Sequence, residues 1–225
     1  MKAMILAAGE GKRMQPLTRD IPKPLLWLNG KTLIDHHVEA LQSAGFDEVV
    51  INIHYLGEMI RTHINQRTDL SIKISFSKEP ELLETAGGIK KALPLLGVEP
   101  FAVVSGDIYT DYDFRRLRVF DIRKKAHLVM VDNPEHHAEG DFSIASSGLL
   151  KLDGSRLTWG SIGIFSAGFF DSVKPGRCSL RHLFDTSIPR GELTGEYYRG
   201  FWTDVGTPRR LKELRDTVKG VINRP

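Results

Sequence analysis

A run of glycines and cations near the N-terminus has the residue types that a phosphate group requires. Gly9 and Gly11 are followed by Lys12 and Arg13, directly after an apolar stretch at residues 4–8. Glycines let backbone N–H groups approach an anion closely, and lysine and arginine neutralise phosphate oxygens. The sequence therefore predicts a phosphate-binding loop that follows a buried strand. A glycine pair alone fits an ordinary surface loop equally well.

Two common phosphate loops do not match this run. A dinucleotide-binding loop needs a third glycine at the position of Met14, which excludes an NAD-dependent enzyme of that kind. A Walker A loop needs four residues between its glycines and a following Lys-Ser/Thr pair, which is also missing. A lysine ten residues further on adds specificity, because Pro22 and Pro24 flank Lys23 and fix its backbone.

Two aspartates far apart in the chain are candidate metal ligands. Asp107 follows the apolar run 101–104 and Gly106, and Asp204 precedes Gly206 and the start of a helix. Either one alone is explained as a turn residue. Together with a phosphate loop they fit Mg²⁺, which takes one or two carboxylates and completes its shell with water and substrate phosphates.

Residues 6–25 closely resemble the motif L-A-A-G-x-G-x-R-M/L-x-P-L-T…P-K-P-L of the sugar-1-phosphate nucleotidyltransferases. Segments 52–55, 84–89, 106–107 and 202–207 extend the resemblance over most of the chain. It implies that a phosphate oxygen of a sugar 1-phosphate attacks the α-phosphorus of a nucleoside triphosphate. Pyrophosphate then leaves, and Mg²⁺ is the implied cofactor.

The resemblance also assigns roles to individual residues. Nucleotide binding falls to Leu6, Ala8, Gly9, Gly11, Lys12, Arg13, Lys23, Glu84 and Thr85. The catalytic residues are Arg13, Lys23, Asp107 and Asp204, and the last two bind the metal. Sugar binding falls to Ser105, Gly140 and Asp141. The chain departs from the family pattern at Ser105, where Asn is expected, and at Glu84, where Gly is expected. Gly140 and Asp141 fit a hairpin turn equally well.

Segments 83–88 and 107–114 resemble those of bacterial members that use UTP and N-acetylmuramic acid 1-phosphate. An alternative is a related transferase that uses glucose- or mannose-1-phosphate with UTP, dTTP or GTP. An alternative of another class is a non-catalytic sensor of nucleotides or sugar nucleotides.

Alternating strand and helix patterns must position these residues. Apolar runs at 49–53, 70–76, 101–104 and 128–131 predict strands, and helical spacing at 33–41, 56–64 and 85–93 predicts helices, the last ended by Pro94. This alternation predicts an α/β fold with a mainly parallel mixed sheet and helices on both faces. The family resemblance makes it Rossmann-like, of the GT-A type. Ligands bind beyond the carboxyl ends of such strands.

The second half has a different pattern. Residues 142–152 and 157–166 predict paired strands around a turn at 153–154, and a helix is predicted at 180–188. Late strands are predicted at 193–198 and 200–205, before a last helix capped by Thr207. We expect one domain over residues 1–225, with a nucleotide-binding part at about 1–110 and a sugar-binding part at about 111–225.

Composition limits the remaining possibilities. The chain has 225 residues, 41% of them hydrophobic, a net charge of +3 and a single cysteine, Cys178. These values exclude disorder and an internal disulfide, and they do not indicate a nucleic-acid surface. We expect a cytoplasmic protein with small-molecule substrates, without nucleic-acid, membrane or obligate protein partners. The histidine pairs 36–37 and 136–137 lack the spacing of a zinc site.

Overall fold

The computed structural model describes residues 1–222 and has a seven-stranded sheet at its centre. The strands in chain order are β1 (Lys2–Leu6), β2 (Trp27–Leu28), β3 (Lys31–Thr32), β4 (Glu48–Ile53), β5 (Lys73–Lys78), β6 (Phe101–Ser105), β7 (Ile108–Thr110), β8 (Ala126–Val131), β9 (Ser143–Ile144), β10 (Leu150–Lys151), β11 (Thr158–Phe165), β12 (Leu193–Tyr197) and β13 (Trp202–Asp204). The α-helices are α1 (Leu33–Ser43), α2 (Gly57–Asn65), α3 (Glu84–Leu96), α4 (Arg115–Arg118), α5 (Leu180–Ser187) and α6 (Pro208–Ile222).

The central sheet has the order β12-β8-β11-β6-β1-β4-β5. Its strands run parallel except β11, which pairs antiparallel with both β6 and β8. In this register Leu6 lies between Asn52 and Ser105. The carboxyl ends of β1, β4 and β6 therefore meet at one edge. The predicted mainly parallel mixed sheet is confirmed.

Helices cover both faces of the sheet because alternate strand residues point to opposite sides. Ala3 and Ile5 of β1 pack in one apolar cluster with residues of α1, α2 and α4. Met4, between them, packs in a second cluster with residues of α3 and α5. The last helix, α6, belongs to a third cluster with Met14 and Val205. This cluster joins the phosphate loop to the C-terminal part of the chain.

Local sequence signals fix where α1 begins and ends, but fail for α3. Thr32 and Asp35 form a capping box at the start of α1, and Gly45 follows its end in the left-handed conformation, with φ +79°. The prediction that Pro94 ends α3 is wrong, because the helix continues to Leu96. Leu96 is buried in the second apolar cluster, and this packing offsets the backbone hydrogen bond that Pro94 removes.

The predicted pairing of 142–152 with 157–166 is also wrong. β9 and β10 form a short hairpin with each other, whereas β11 enters the central sheet, and Leu157, just before β11, forms a bridge with Phe142. Six of the eight residues of β11 are buried, so the strand needs neighbours on both edges and cover on both faces. In the described part of the chain no helix has the length and apolar character needed to span a membrane.

Candidate active site

A cleft of about 320 Å³ opens at the carboxyl ends of β1 and β6. Eleven of the predicted site residues line it: Leu6, Ala8, Gly9, Gly11, Lys12, Arg13, Lys23, Glu84, Thr85, Ser105 and Asp107. Gly140, Asp141 and Asp204 are not among the lining residues. The predicted nucleotide-binding residues thus share one cavity, although they come from three separate segments of the chain.

The phosphate loop turns sharply at Gly11, which has a φ of +63°. A Cβ atom at this position would lie 3.1 Å from the Thr18 side chain, whose hydroxyl donates to the Gly11 carbonyl at 2.8 Å. Gly9 has open space at its missing Cβ, so its backbone is accessible from the cleft. The exposed Arg13 and Lys12 follow this turn, and Lys12 pairs with Glu10 at 2.6 Å. Cations and backbone N–H groups here suit a polyphosphate.

Lys23 lies at the bottom of the cleft in a short 3-10 helix, Lys23–Leu25. Only 9% of the residue is exposed, and its ammonium lies 2.5 Å from Oδ2 of Asp107. The other carboxylate oxygen, Oδ1, accepts a hydrogen bond from Ser105 Oγ at 2.7 Å. Burial opposes ionisation of Asp107, but the Lys23 charge and these two hydrogen bonds hold its pKa below the ordinary value. Asp107 is therefore an anion at neutral pH.

Asp204 is joined to Asp107 through the backbone but has other side-chain partners. It lies opposite Ile108 in the β7–β13 pair, and the N–H of Val205 donates to the Asp107 carbonyl at 2.7 Å. Its Oδ1 lies 2.6 Å from Nη1 of Arg210 and 3.1 Å from Nε2 of His136. Each aspartate therefore already has a cation or an imidazole as its partner.

The two carboxylates offer the oxygen donors that Mg²⁺ prefers. Among residues 1–222 no group of three or more His, Cys, Asp or Glu side chains converges as a metal site would require. A site with two carboxylates still suits Mg²⁺, because substrate phosphates and water complete its shell. Asp107 and Asp204 therefore fit the ion by donor type, and a bound ion would compete with Lys23 and Arg210 for their oxygens.

The start of α3 forms the opposite wall of the cleft. Glu84 has a φ of +59°, a conformation in which glycine is normally found. The family pattern has Gly at this position, and a residue with a side chain adopts this φ only with local backbone strain. Its carboxylate accepts hydrogen bonds from Arg177, and the Thr85 hydroxyl accepts one from the backbone N–H of Leu180 at 2.9 Å.

Sequence reasoning missed a polar pair, Asn52 and Glu79, that lines the cleft. The amide of Asn52 accepts from the N–H of Ala7 at 2.8 Å and donates to Glu79 Oε1 at 2.7 Å. The second oxygen of Glu79 accepts from the N–H of Leu83 at 3.1 Å. This chain of contacts links the end of β1 to the start of α3. The sequence signal that could have identified this pair is Asn52, the one polar residue in the apolar run 49–53.

Gly140 and Asp141 occupy a tight turn beside β11. Gly140 has a φ of +60°, and a Cβ there would come within 2.7 Å of the Asn133 side chain. Asp141 accepts from the N–H of Trp159 at 2.9 Å and lies 3.2 Å from His137. These contacts explain both residues as parts of a turn, the alternative that the sequence left open.

Comparisons with known proteins agree with this geometry. Residues 2–154 match the nucleotidyl transferase family. The chain is 42% identical over 224 residues to N-acetylmuramate alpha-1-phosphate uridylyltransferase of Neisseria meningitidis, covering 96% of this chain and 97% of that protein. It is 31% identical over 224 residues to the mannose-1-phosphate guanylyltransferase catalytic subunit beta of Xenopus tropicalis, covering 93% of this chain but only 62% of that longer protein.

Solved structures give the same fold at lower sequence identity. A glucose-1-phosphate thymidylyltransferase from Bacillus anthracis, solved with sucrose, superposes with a TM-score of 0.85 at 20% identity, covering 97% of this chain and 95% of that one. A UDP-glucose pyrophosphorylase complexed with UDP-glucose superposes with a TM-score of 0.78 at 18% identity and covers 98% of both chains. The predicted Rossmann-like fold is therefore confirmed.

Proposed function

The chain belongs to the nucleotidyl transferase family, and from that premise we propose that it transfers the uridylyl group of UTP to N-acetylmuramic acid 1-phosphate. The products are UDP-N-acetylmuramic acid and pyrophosphate. The observation that carries this proposal is the 42% identity to the uridylyltransferase over 97% of that protein's length. The cleft supports it, because the residues proposed to bind the nucleotide line one cavity.

The reaction is a single displacement at phosphorus. An oxygen of the sugar 1-phosphate forms a bond to the α-phosphorus of UTP, and the bond to the bridging oxygen of the β-phosphate breaks. The pyrophosphate takes that electron pair. Because the nucleophile is already an anion, no side chain needs to remove a proton. Catalysis then depends on alignment and on neutralising negative charge.

The chain's own residues supply this alignment. The backbone of Gly9 and Gly11 holds the triphosphate, and Arg13 and Lys12 neutralise the departing pyrophosphate. Lys23 bridges the two reacting phosphates from the bottom of the cleft. Its ammonium already faces the cavity beside Asp107, so it needs no large movement to do so.

Asp107 and Asp204 would hold Mg²⁺, which would supply further neutralisation of charge at the α-phosphate. The base lies over Ala8 and Gly9, with Glu84 and Thr85 near its edge. Gly140 and Asp141 bind the sugar, with Ser105 as a further contact.

We further propose that residues 1–225 act as one catalytic domain in the cytoplasm, where UTP is available. The sugar is a component of the cell wall, so the reaction would serve peptidoglycan recycling. The second candidate function is guanylyl transfer to mannose 1-phosphate. It is supported by the 31% identity to the guanylyltransferase subunit, although this chain spans only 62% of that relative.

Pyrophosphate release tests the proposal directly. Purified protein is incubated with Mg²⁺, one of UTP, dTTP, GTP or CTP, and one of the 1-phosphates of N-acetylmuramic acid, N-acetylglucosamine, glucose or mannose. We expect the highest kcat/KM with UTP and N-acetylmuramic acid 1-phosphate. A preference for GTP and mannose 1-phosphate would establish the second candidate. Absence of release with every pair would favour a sensor.

A further inference from the structure

A short segment of the second half covers the start of α3. This covering segment, residues 176–180, makes two backbone hydrogen bonds to it. The N–H of Cys178 donates to the Leu83 carbonyl at 3.0 Å, and the N–H of Gly87 donates to the Cys178 carbonyl at 3.0 Å. The wall of the cleft next to Glu84 is therefore held by residues more than 90 positions further along the chain.

The backbone of the covering segment also packs very closely against the start of α3. A Cβ atom on Gly87 would lie 2.3 Å from the carbonyl oxygen of Gly176, so only glycine allows the two backbones to pack at this distance. The N–H of Leu180 donates to the Thr85 hydroxyl at 2.9 Å. Together these bonds set the backbone path of the covering segment and bring its one arginine to the rim of the cleft.

That arginine, Arg177, is bound to Glu84. Its Nε and Nη2 both lie 2.7 Å from the same oxygen, Oε1. Glu84 has a left-handed backbone, and Leu83, the residue before the helix, makes no side-chain capping bond. A left-handed conformation is disfavoured for a residue with a side chain and persists when its surroundings hold it. The contact with Arg177 is such a restraint.

We propose that Arg177 is a positioning residue for the nucleobase. It holds the Glu84 carboxylate outside the path of the nucleotide and fixes the left-handed turn that starts α3. This inference rests on the proposed function, in which Glu84 and Thr85 lie at the edge of the base. The direct partner of Arg177 is Glu84 at the start of α3 and not a residue of the phosphate loop, so we expect Arg177 to affect base binding more than phosphate binding.

The experiment compares Arg177→Ala with the parent in its binding of two ligands. UTP carries a base, whereas inorganic tripolyphosphate offers the phosphates alone. Equilibrium binding is measured by calorimetry without sugar phosphate, and KM and kcat are measured with it. We expect Arg177→Ala to weaken UTP binding and raise its KM by up to about fivefold, the range of an exposed ion pair. Binding of tripolyphosphate and kcat should remain within about twofold.

Repeating the Arg177→Ala substitution in a Glu84→Gly variant distinguishes a positioning role of Arg177 from a general loss of stability. Glu84→Gly removes the carboxylate and suits a φ of +59°. In that background Arg177→Ala should have no further effect on UTP binding, because there is no side chain left to hold. The matched control is Arg209→Ala, which removes another exposed Arg–Glu pair, to Glu213 on α6, at the same distance of 2.7 Å. It should leave both ligands unaffected.

Three results would overturn the inference. They are unchanged UTP binding in Arg177→Ala, an equal loss of UTP and tripolyphosphate binding, and an undiminished effect in the Glu84→Gly background. Failure of the proposed function looks different. In that case the parent releases no pyrophosphate with UTP and any sugar phosphate, while the binding comparison still decides the role of Arg177.

Discussion

The two candidate metal ligands lie in regions that differ in how their charge is neutralised. Asp107 follows β6 of the central sheet and pairs with Lys23. This lysine comes from the N-terminal loop, and 9% of it is exposed. Asp204 ends a two-stranded ribbon and pairs with Arg210, which follows it by six positions, and with His136. The first contact joins distant parts of the chain through the cleft, whereas the Arg210 contact is local.

Loss of the carboxylate charge should therefore affect Asp107 and Asp204 differently. Removing the charge of Asp107 also leaves the nearly buried ammonium of Lys23 without its partner. Removing the charge of Asp204 leaves Arg210 with its second contact, to the imidazole of His136. The Asp107 region should therefore be the more sensitive of the two in both activity and stability.

The largest effect should follow from Asp107→Asn. We expect kcat to fall by about a thousandfold, because the variant loses a metal ligand and the orientation of Lys23 together. Asp204→Asn is the matched comparison and should lose less, about a hundredfold, with an unchanged melting temperature. Steady-state pyrophosphate release and thermal unfolding measure both. Equal losses of activity and stability in the two variants would remove the distinction between the regions.

Lys23→Ala should rank next. The lysine is proposed to act on the reacting phosphates, so kcat should fall by about a hundredfold while the KM for UTP changes little. Lys23→Arg should not restore the rate, because its larger, planar head cannot take the place of an ammonium 2.5 Å from Asp107. A variant whose only defect is a raised KM would assign Lys23 to ground-state binding instead.

Acid should destabilise the Asp107 region through His37. This buried side chain contacts the Ile108 carbonyl, and burial lowers its pKa from 6.5 to about 4. Between those values the unfolded chain binds a proton that the folded chain does not, so stability is complete above pH 6.5 and falls as the pH drops towards 4. The shift corresponds to at most about 3 kcal/mol.

Urea unfolding of the parent and His37→Gln at pH 7 and pH 4.5 measures this effect. The glutamine amide can still donate to the Ile108 carbonyl but does not titrate. The loss of unfolding free energy on acidification should be smaller in the variant by about 2 kcal/mol. If both proteins lose the same amount, His37 does not titrate as its burial requires.

The smallest effect should come from Arg210→Ala. Arg210 competes with a cation for Oδ1 of Asp204, so removing it should lower the Mg²⁺ concentration for half-maximal activity by about threefold to fivefold. The neighbouring Arg209→Ala, whose partner is Glu213, should leave that concentration unchanged. A Mg²⁺ titration of initial rates gives both numbers. A weakened response to Mg²⁺ in Arg210→Ala would instead show that the arginine supports the site.

Much of the cleft lining could be predicted because its signals are contiguous in the sequence. Residues 6–25 hold the glycines, cations and prolines in one uninterrupted run, and apolar periodicity predicted the strands on which they depend. The strand pairing of the second half was predicted less well, because β11 belongs to the central sheet and not to a hairpin with 142–152. Gly140 and Asp141 lie in a turn, and their role in sugar binding stays a prediction, because turn residues and sugar-binding residues are of the same types.

The sequence by itself determined the class of sheet, the position of the glycine-rich loop after β1 and the family, because each depends on residue types at short fixed spacings. Only the tertiary structure decided which charges meet. Lys23 and Asp107 are 84 positions apart, and Arg177 and Glu84 are 93 apart. Pairs at such separations leave no periodic trace in the chain. They form because parallel strands bring their carboxyl ends to one edge, where loops from distant segments then pack together.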